Sequence, residues 1–375
     1  MTSTNYYSLA SPTSLLMSDD QIIERVFSHI DNKTTDLGKE VWKEPVKNYI
    51  DQGRFDNEIK LLRSLPVPFC PSSALPEKGS YVSRVAAGTP ILVTRDDENN
   101  INAFINACRH RGMQVASGSG CKKSFVCPYH GWTFDGYGKL KTLPLKDDFE
   151  TKIELGDYFL EEVNSLVNGP LIWINLSKKP ISIDDQIELV ARECTNEWQK
   201  NYSVFSEFSN TLNCNWKIAH DNTLDDYHVA VAHKDTLHKE QGPIKNYKYF
   251  FSEFCNVLVT PLSSEDNLYT FGLLPWTHLI IWPGKGILLI SYLPENINHC
   301  TLEIKLASGS LSTKDLEIWK RSILKFLEED KVIVESVHKS YMEKFKIGPP
   351  NKLEKRIIHW QKIYKKFLHA SGISF

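Results

Sequence analysis

The chain has 375 residues, 41% hydrophobic and 24% charged, enough to build the cores of two soluble domains. Lys plus Arg number 44 against 46 Asp plus Glu, a formal net charge of -2 that excludes the basic surplus a nucleic-acid binder uses to neutralise phosphate. Eight cysteines are too few for a disulfide scaffold of this length, so clustered ones are metal candidates in a reducing, cytoplasmic setting.

Residues 1–59 open on polar sequence without the basic and apolar regions of a signal peptide. In "SDDQIIERVFSHI" a Ser/Asp start precedes apolar residues at helical spacing, which predicts a capped amphipathic helix packing on the C-terminal part of the chain. From 60 to 178 short β-prone runs alternate with turns, as in "SYVSRVAAGTPILVTRDDENNINAFINAC", and predict a small all-β domain. Residues 179–375 mix helices with strands, the strands dominating 246–307, and predict an α+β domain with an antiparallel sheet and helices to one side. The most apolar run, "GLLPWTHLIIWPGKGILLISYLP", is broken by Pro275, His278, Pro283 and Lys285, so it reads as two core strands and a turn and not as a membrane span. A long helix runs from Ser312 to about Phe345, and Lys362, Lys365 and Lys366 mark a solvated helix face beyond it.

The β domain contains "CRHRGMQVASGSGCKKSFVCPYHGW", in which Cys108 and His110 precede Cys127 and His130. Thiolate with imidazole suits zinc or an iron–sulfur cluster. A zinc finger usually pairs Cys with Cys and His with His. One thiolate and one imidazole in each loop is what a Rieske [2Fe-2S] centre requires, two sulfurs on one iron and two nitrogens on the other. Cys121 lies between the loops but outside the pattern, and it and the other cysteines read as buried or incidental thiols.

The second domain contains "NWKIAHDNTLDDYHVAVAHKD". Asp225 and His228 are three apart and predict a shared helix face. His228 and His233 are five apart, so the helix must end or bulge between them if both are to reach one ion. Two histidines and a carboxylate with open positions make the facial triad of non-haem Fe(II) oxygenases. On the late helix Asp330 falls within the apolar stripe of Leu316, Trp319, Ile323, Phe326, Leu327, Val334, Val337 and Tyr341, where a carboxylate is costly unless paired or metal-bound. Glu329 is the alternative and Glu328 reads as solvated.

Together these segments resemble the alpha subunit of a Rieske non-haem iron oxygenase over most of residues 60–345. The stretch "DNTLDDYHVAVAHK" is most similar to the branch that includes choline and carnitine monooxygenases. The resemblance implies an all-β Rieske domain joined to a catalytic domain of antiparallel sheet with flanking helices. It also implies a [2Fe-2S] cluster held by Cys108, His110, Cys127 and His130, and a mononuclear Fe(II) held by His228, His233 and Asp330. Asp225 becomes the carboxylate linking an iron histidine to a cluster histidine of a neighbouring subunit in a head-to-tail homotrimer. Asn222 matches an asparagine near the iron or is a cap or turn residue; Trp216 and Tyr227 read as packing. His278 could line the substrate pocket or be a core histidine. The chain lacks a Gly-rich dinucleotide fingerprint after a strand, so electrons must come from a separate NAD(P)H-dependent reductase, alone or with a ferredoxin. The implied activity is hydroxylation or oxidative demethylation of a small organic molecule with O2. Rival readings are a cis-dihydroxylating dioxygenase and an electron-transfer protein with an inactive second domain. Neither membrane nor nucleic acid is an expected partner, and the substrate is not legible.

Overall fold

The computed structural model describes residues 44–177, 182, 184–263, 266–344 and 346–370, with a few helical residues between 23 and 32. The Ser18–Asp20 start expected for the first helix lies outside them. Helices α1 (Lys47–Ile50) and α2 (Gln52–Leu62) come first, and the Asp51 side chain caps α2 by accepting the Arg54 N–H.

Ten short strands follow: β1 (Val67–Pro71), β2 (Ser80–Ala86), β3 (Thr89–Arg95), β4 (Ile101–Ile105), β5 (Gly118–Cys121), β6 (Ser124–Val126), β7 (Thr133–Asp135), β8 (Leu140–Thr142), β9 (Asn164–Asn168) and β10 (Leu171–Asn175). They form three antiparallel sheets, ordered β1-β10-β9, β4-β3-β2-β5 and β6-β7-β8. Phe125, Phe134, Trp132 and Leu160 fill the core beneath the last of these.

The remaining elements are α3 (Asp184–Glu193), α4 (Thr195–Trp198), β11 (Val204–Leu212), α5 (Trp216–Leu224), α6 (Val229–Ala232), α7 (Leu237–Gln241), β12 (Lys248–Phe251), β13 (Asn256–Pro261), β14 (Asn267–Leu273), β15 (Thr277–Trp282), β16 (Gly286–Asn296), β17 (His299–Ser308), α8 (Thr313–Met342) and α9 (Lys355–Ala370). Seven strands make one antiparallel sheet ordered β11-β17-β16-β15-β14-β13-β12. The β15–β16 turn returns at Gly286, φ +148°, where a Cβ would lie 2.1 Å from the Ala307 carbonyl oxygen, so only glycine fits.

Side chains alternate across this sheet. Ile280, Trp282, Leu288 and Ile290 face α5 and α8, whereas Leu279, Ile281, Ile287 and Leu289 face Leu189, Val190 and Trp198 of α3 and α4. Helices therefore cover both faces and not one, because the consecutive apolar residues at 279–282 and 287–290 of the central strands need a cover on each side. Helix α8 starts at Ser312, whose hydroxyl accepts the Asp315 N–H, and runs past α5 and β11. Helix α1 closes against it, with Tyr49 edge-on to Tyr341 at 5.3 Å. Buried Lys217 of α5 lies 2.6 Å from Glu58 of α2, tying the N-terminal helices to the helical layer over the seven-stranded sheet. Among the described residues, no helix is long and apolar enough to cross a membrane.

Candidate cluster and metal sites

The two Cys/His loops are the same turn made twice. Gly112 N–H donates to Cys108 O at 2.8 Å and Gly131 N–H to Cys127 O at 3.0 Å, while the Cys108 and Cys127 N–H groups donate to Met113 O and Trp132 O, each at 2.8 Å. Gly112 (φ +76°) and Gly131 (φ +71°) supply the left-handed residue each turn needs. Fully buried Asn106 braces the first loop: its Nδ2 donates to Ser83 Oγ and Ala116 O, and its Oδ1 accepts from Val115 N–H.

Both cysteines are buried and both imidazoles face outward, with His110 Nδ1 and His130 Nδ1 3.1 Å apart. Trp132 stacks on His110 with ring centroids 5.2 Å apart. Burial, then the neighbouring Cys127 sulfur, raises the Cys108 thiol pKa; burial and His130 lower that of His110. Two sulfurs inside and two imidazole nitrogens outside fit the mixed donor set of a Rieske cluster. Cys121 is exposed on β5, its Sγ toward Lys78 O, and stands outside the set.

In the second domain the helix breaks where the histidine spacing requires. Helix α5 ends at Leu224 and α6 is four residues long, with His228 at its N-cap and His233 at its C-cap. Asp225 has extended backbone (φ −84°, ψ 102°), so it shares no helix face with His228. Its Oδ1 accepts the Tyr227 N–H at 2.8 Å, a turn closed by its own side chain, and its Oδ2 lies 3.7 Å from His228 Nδ1.

Asp330 reaches in from α8 with Oδ1 3.0 Å from His233 Nε2 and 3.4 Å from His228 Nε2, and the two Nε2 atoms are 3.1 Å apart. Asn222 donates to the same Asp330 oxygen at 2.7 Å. Burial alone would lower the His228 pKa, but Asp225 and Asp330 carry it up to about 10. His233 is also raised, by Asp330 and Glu329 against burial, and the imidazoles hold Asp330 below the usual carboxylate range despite its burial. Three donor atoms converge where their surroundings favour positive charge, an arrangement that fits a divalent cation.

Glu329 turns away from that point. Its Oε2 lies 2.7 Å from His233 Nδ1 and accepts the Thr236 hydroxyl at 2.6 Å. This role, and that of Thr236, escapes the sequence pattern, in which Glu329 stands only as the alternative ligand. His278 does not line the pocket: it is buried against His220 at 4.4 Å beneath α5. Trp216 packs in the core, but Tyr227 is 53% exposed and does not.

Two spaces meet at His228. A cavity of about 50 Å³ lies on the sheet side, walled by Leu258, Ile280, Leu288, Ile290 and Phe326. A cleft of about 650 Å³ lies on the helical side and includes Glu44, Asp221, Asp225 and Glu354.

Two family profiles match the chain: Rieske [2Fe-2S] domain over residues 66–157, and ring hydroxylating alpha subunit (catalytic domain) over residues 199–266. The carnitine monooxygenase oxygenase subunit of Escherichia coli K12 is 28% identical over 323 residues, covering 80% of this chain and 84% of that protein. The chloroplastic choline monooxygenase of Atriplex hortensis is 33% identical over 169 residues, 44% of this chain and 38% of that protein. Among solved structures, the quaternary ammonium Rieske monooxygenase CntA with L-carnitine aligns at TM-score 0.75 and 22% identity, covering 87% of this chain and 95% of that one. Naphthalene 1,2-dioxygenase from Rhodococcus sp. bound to indole aligns at TM-score 0.75 and 18% identity, covering 94% and 99%. At these identities the structural likeness is one of fold.

Proposed function

Since the chain belongs to the Rieske non-haem iron oxygenases as an alpha subunit, we propose that His228, His233 and Asp330 hold its mononuclear iron and that Cys108, His110, Cys127 and His130 hold its cluster. It is the terminal component of an oxygenase, supplied with electrons by a reductase. When bound, the cluster supplies single electrons and the ferrous centre activates O2. The observation that carries the assignment of the iron site is the convergence of two Nε2 atoms and one carboxylate oxygen within 3.0 to 3.4 Å.

The chain's own residues prepare that site. Asp330, aimed by its hydrogen bond from Asn222, supplies the anionic donor. Glu329 and Asp225 flank the outer nitrogens of His233 and His228 and leave the Nε2 atoms to face inward. The apolar walls keep water from the face where the substrate sits.

The oligomer we propose is a head-to-tail homotrimer. The cluster tip exposes Arg109, Arg111, Met113 and Tyr129, and the cleft beside His228 offers Glu44, Asp225 and Glu354, charges of opposite sign on surfaces of matching chemistry. Asp225 then stands between His228 and the imidazoles of the incoming tip. The electron donor is an NAD(P)H-dependent reductase, alone or through a ferredoxin, and a cytoplasmic location agrees with eight unpaired cysteines.

The test is metal analysis followed by turnover with a surrogate reductase and isotopically labelled O2. We expect about three irons per chain, a Rieske electron paramagnetic resonance signal, and one labelled oxygen per turnover in the combined organic products, alcohol or released aldehyde. Two labelled oxygens in one product identify dihydroxylation. A cluster without a third iron identifies an electron-transfer protein.

A further inference from the structure

The cavity bordered by His228, His233 and Asp330 is apolar on its sheet side except at one position. Leu258, Thr270, Ile280 and Leu288 line it, and they stand opposite one another in register across β13, β14, β15 and β16. Among the described residues, Thr270 is the only polar side chain that the sheet contributes to this wall. It is 6% exposed; its carbonyl accepts from Arg356 at 2.9 Å, while its hydroxyl makes no hydrogen bond among the described residues.

Gln241, the last residue of α7, borders the same cavity and is 5% exposed. The Tyr247 hydroxyl donates to its Oε1 at 2.9 Å, which fixes the amide and leaves the two Nε2 protons without an acceptor among the described residues. Buried donors in an apolar wall cost free energy until an acceptor reaches them.

The other polar side chains of the wall are engaged. Asn222 donates to Asp330 at 2.7 Å, and Thr223 shares a 2.7 Å hydrogen bond with the Tyr292 hydroxyl. Asp226 pairs with Arg356 at 3.0 Å and has the Tyr249 hydroxyl set against it. Asp225 accepts the Tyr227 N–H and faces His228. Gln241 and Thr270 are what remains for a ligand.

We propose that Gln241 Nε2 and Thr270 Oγ form a donor pair that holds an oxygen acceptor of the substrate, a hydroxyl or a carboxylate. The substrate's remaining bulk then lies on Leu258, Ile280, Leu288 and Phe326, in the same space that His233 and Asp330 border. The pair therefore positions the substrate and selects for its oxygen group. This deepens the oxygenase reading and rests on the assignment of the iron site above.

The test uses holoenzyme with cluster and third iron verified, kept oxidised and anaerobic so that calorimetry reads binding alone. Four compact probes are compared: choline, glycine betaine, and the two analogues in which a tert-butyl group replaces the trimethylammonium head. They cross two heads with two oxygen groups, hydroxyl and carboxylate. We expect at least one to bind at millimolar concentration, and Gln241→Leu and Thr270→Val each to weaken it about three- to tenfold with iron content retained. Gln241→Glu still accepts the Tyr247 hydroxyl, and a hydroxyl probe can donate to it. That variant should keep the hydroxyl probes and weaken the carboxylate ones about tenfold or more through like charge. A role confined to packing would move both kinds alike. Parental affinity in either Gln241→Leu or Thr270→Val overturns the proposal. So does a Gln241→Glu variant that loses the hydroxyl probes or keeps the carboxylate ones, and so does the absence of binding by all four. Absence of the third iron from the starting protein would overturn the assignment beneath it instead.

Discussion

Glu329 and Asp330, neighbours on helix α8, face opposite nitrogens of one imidazole: Glu329 lies 2.7 Å from His233 Nδ1 and Asp330 3.0 Å from its Nε2. Consecutive helical residues point about 100° apart, so a Glu–Asp pair can flank a ring that enters between them. Asp330→Ala, His228→Ala and His233→Ala should each lose the mononuclear metal and keep the cluster spectrum. Glu329→Ala should retain a metal site of about 10- to 100-fold lower affinity, and Glu329→Gln should recover most of it because its carbonyl accepts the same N–H. Titration with cobalt(II), read by its visible spectrum, separates these cases. Loss of the site in Glu329→Ala with retention in Asp330→Ala would exchange the roles of the two carboxylates.

What the sequence shows of this site follows from how local each interaction is. The Cys108–His110 and Cys127–His130 loops carry their glycines within them, so the pattern is visible without the fold. Asp330 stands out because it interrupts an apolar stripe. Glu329 lies on the edge of that stripe, and its partner is 96 positions away, so nothing local marks it. The end of α5 at Leu224 is harder: "DNTLDDYHVAVAH" has no Gly or Pro to stop a helix. Asp225 stops it by accepting a backbone N–H two residues on, a turn that Asp-Asp permits but does not require. The two-sided cover of the sheet was available in "HLIIW" and "GILLIS", where apolar residues occupy consecutive positions instead of alternating.

The cluster assignment predicts that Cys108→Ser and Cys127→Ser abolish the Rieske spectrum, whereas Cys121→Ser leaves it unchanged. Cys121 is exposed, with its Sγ toward the Lys78 carbonyl, so its replacement by serine should barely alter stability. Bleaching of the spectrum in the Cys121 variant would mean that the wrong sulfurs have been chosen.

Asp221 predicts a pH effect on stability. Burial pushes its carboxyl pKa up to about 7, against hydrogen bonds from the Tyr49 hydroxyl at 2.6 Å and Gln361 at 2.9 Å, with Glu44 raising it and Lys217 lowering it. An unfolded aspartate titrates near 3.9. Between about 4 and 7 the unfolded chain releases this proton and the folded one keeps it, so stability falls as pH rises. Above about 7 the fold must hold a buried anion. Asp221→Asn keeps an acceptor and removes that cost, so its melting temperature should exceed the parent's by more at pH 8 than at pH 5. A gain that does not change with pH would show that Asp221 is not the group responsible.

Asp225 gives the most direct test of communication between the two sites. Its Oδ1 is used by the backbone turn, and its Oδ2 lies 3.7 Å from His228 Nδ1 while bordering the cleft proposed to receive the neighbouring cluster tip. Asp225→Asn can still accept the Tyr227 N–H, so the turn, both metals and the oligomer should persist. What it lacks is the negative charge that orients His228 and balances an imidazole arriving from the other side. Transfer of an electron from cluster to iron should slow by about tenfold or more, while external reduction of the cluster proceeds at the parental rate. Stopped-flow absorbance, following reoxidation of a pre-reduced cluster after mixing with O2 and substrate, reads that step alone. Parental reoxidation in the variant, with iron content and oligomer confirmed, would make Asp225 a turn residue and nothing more.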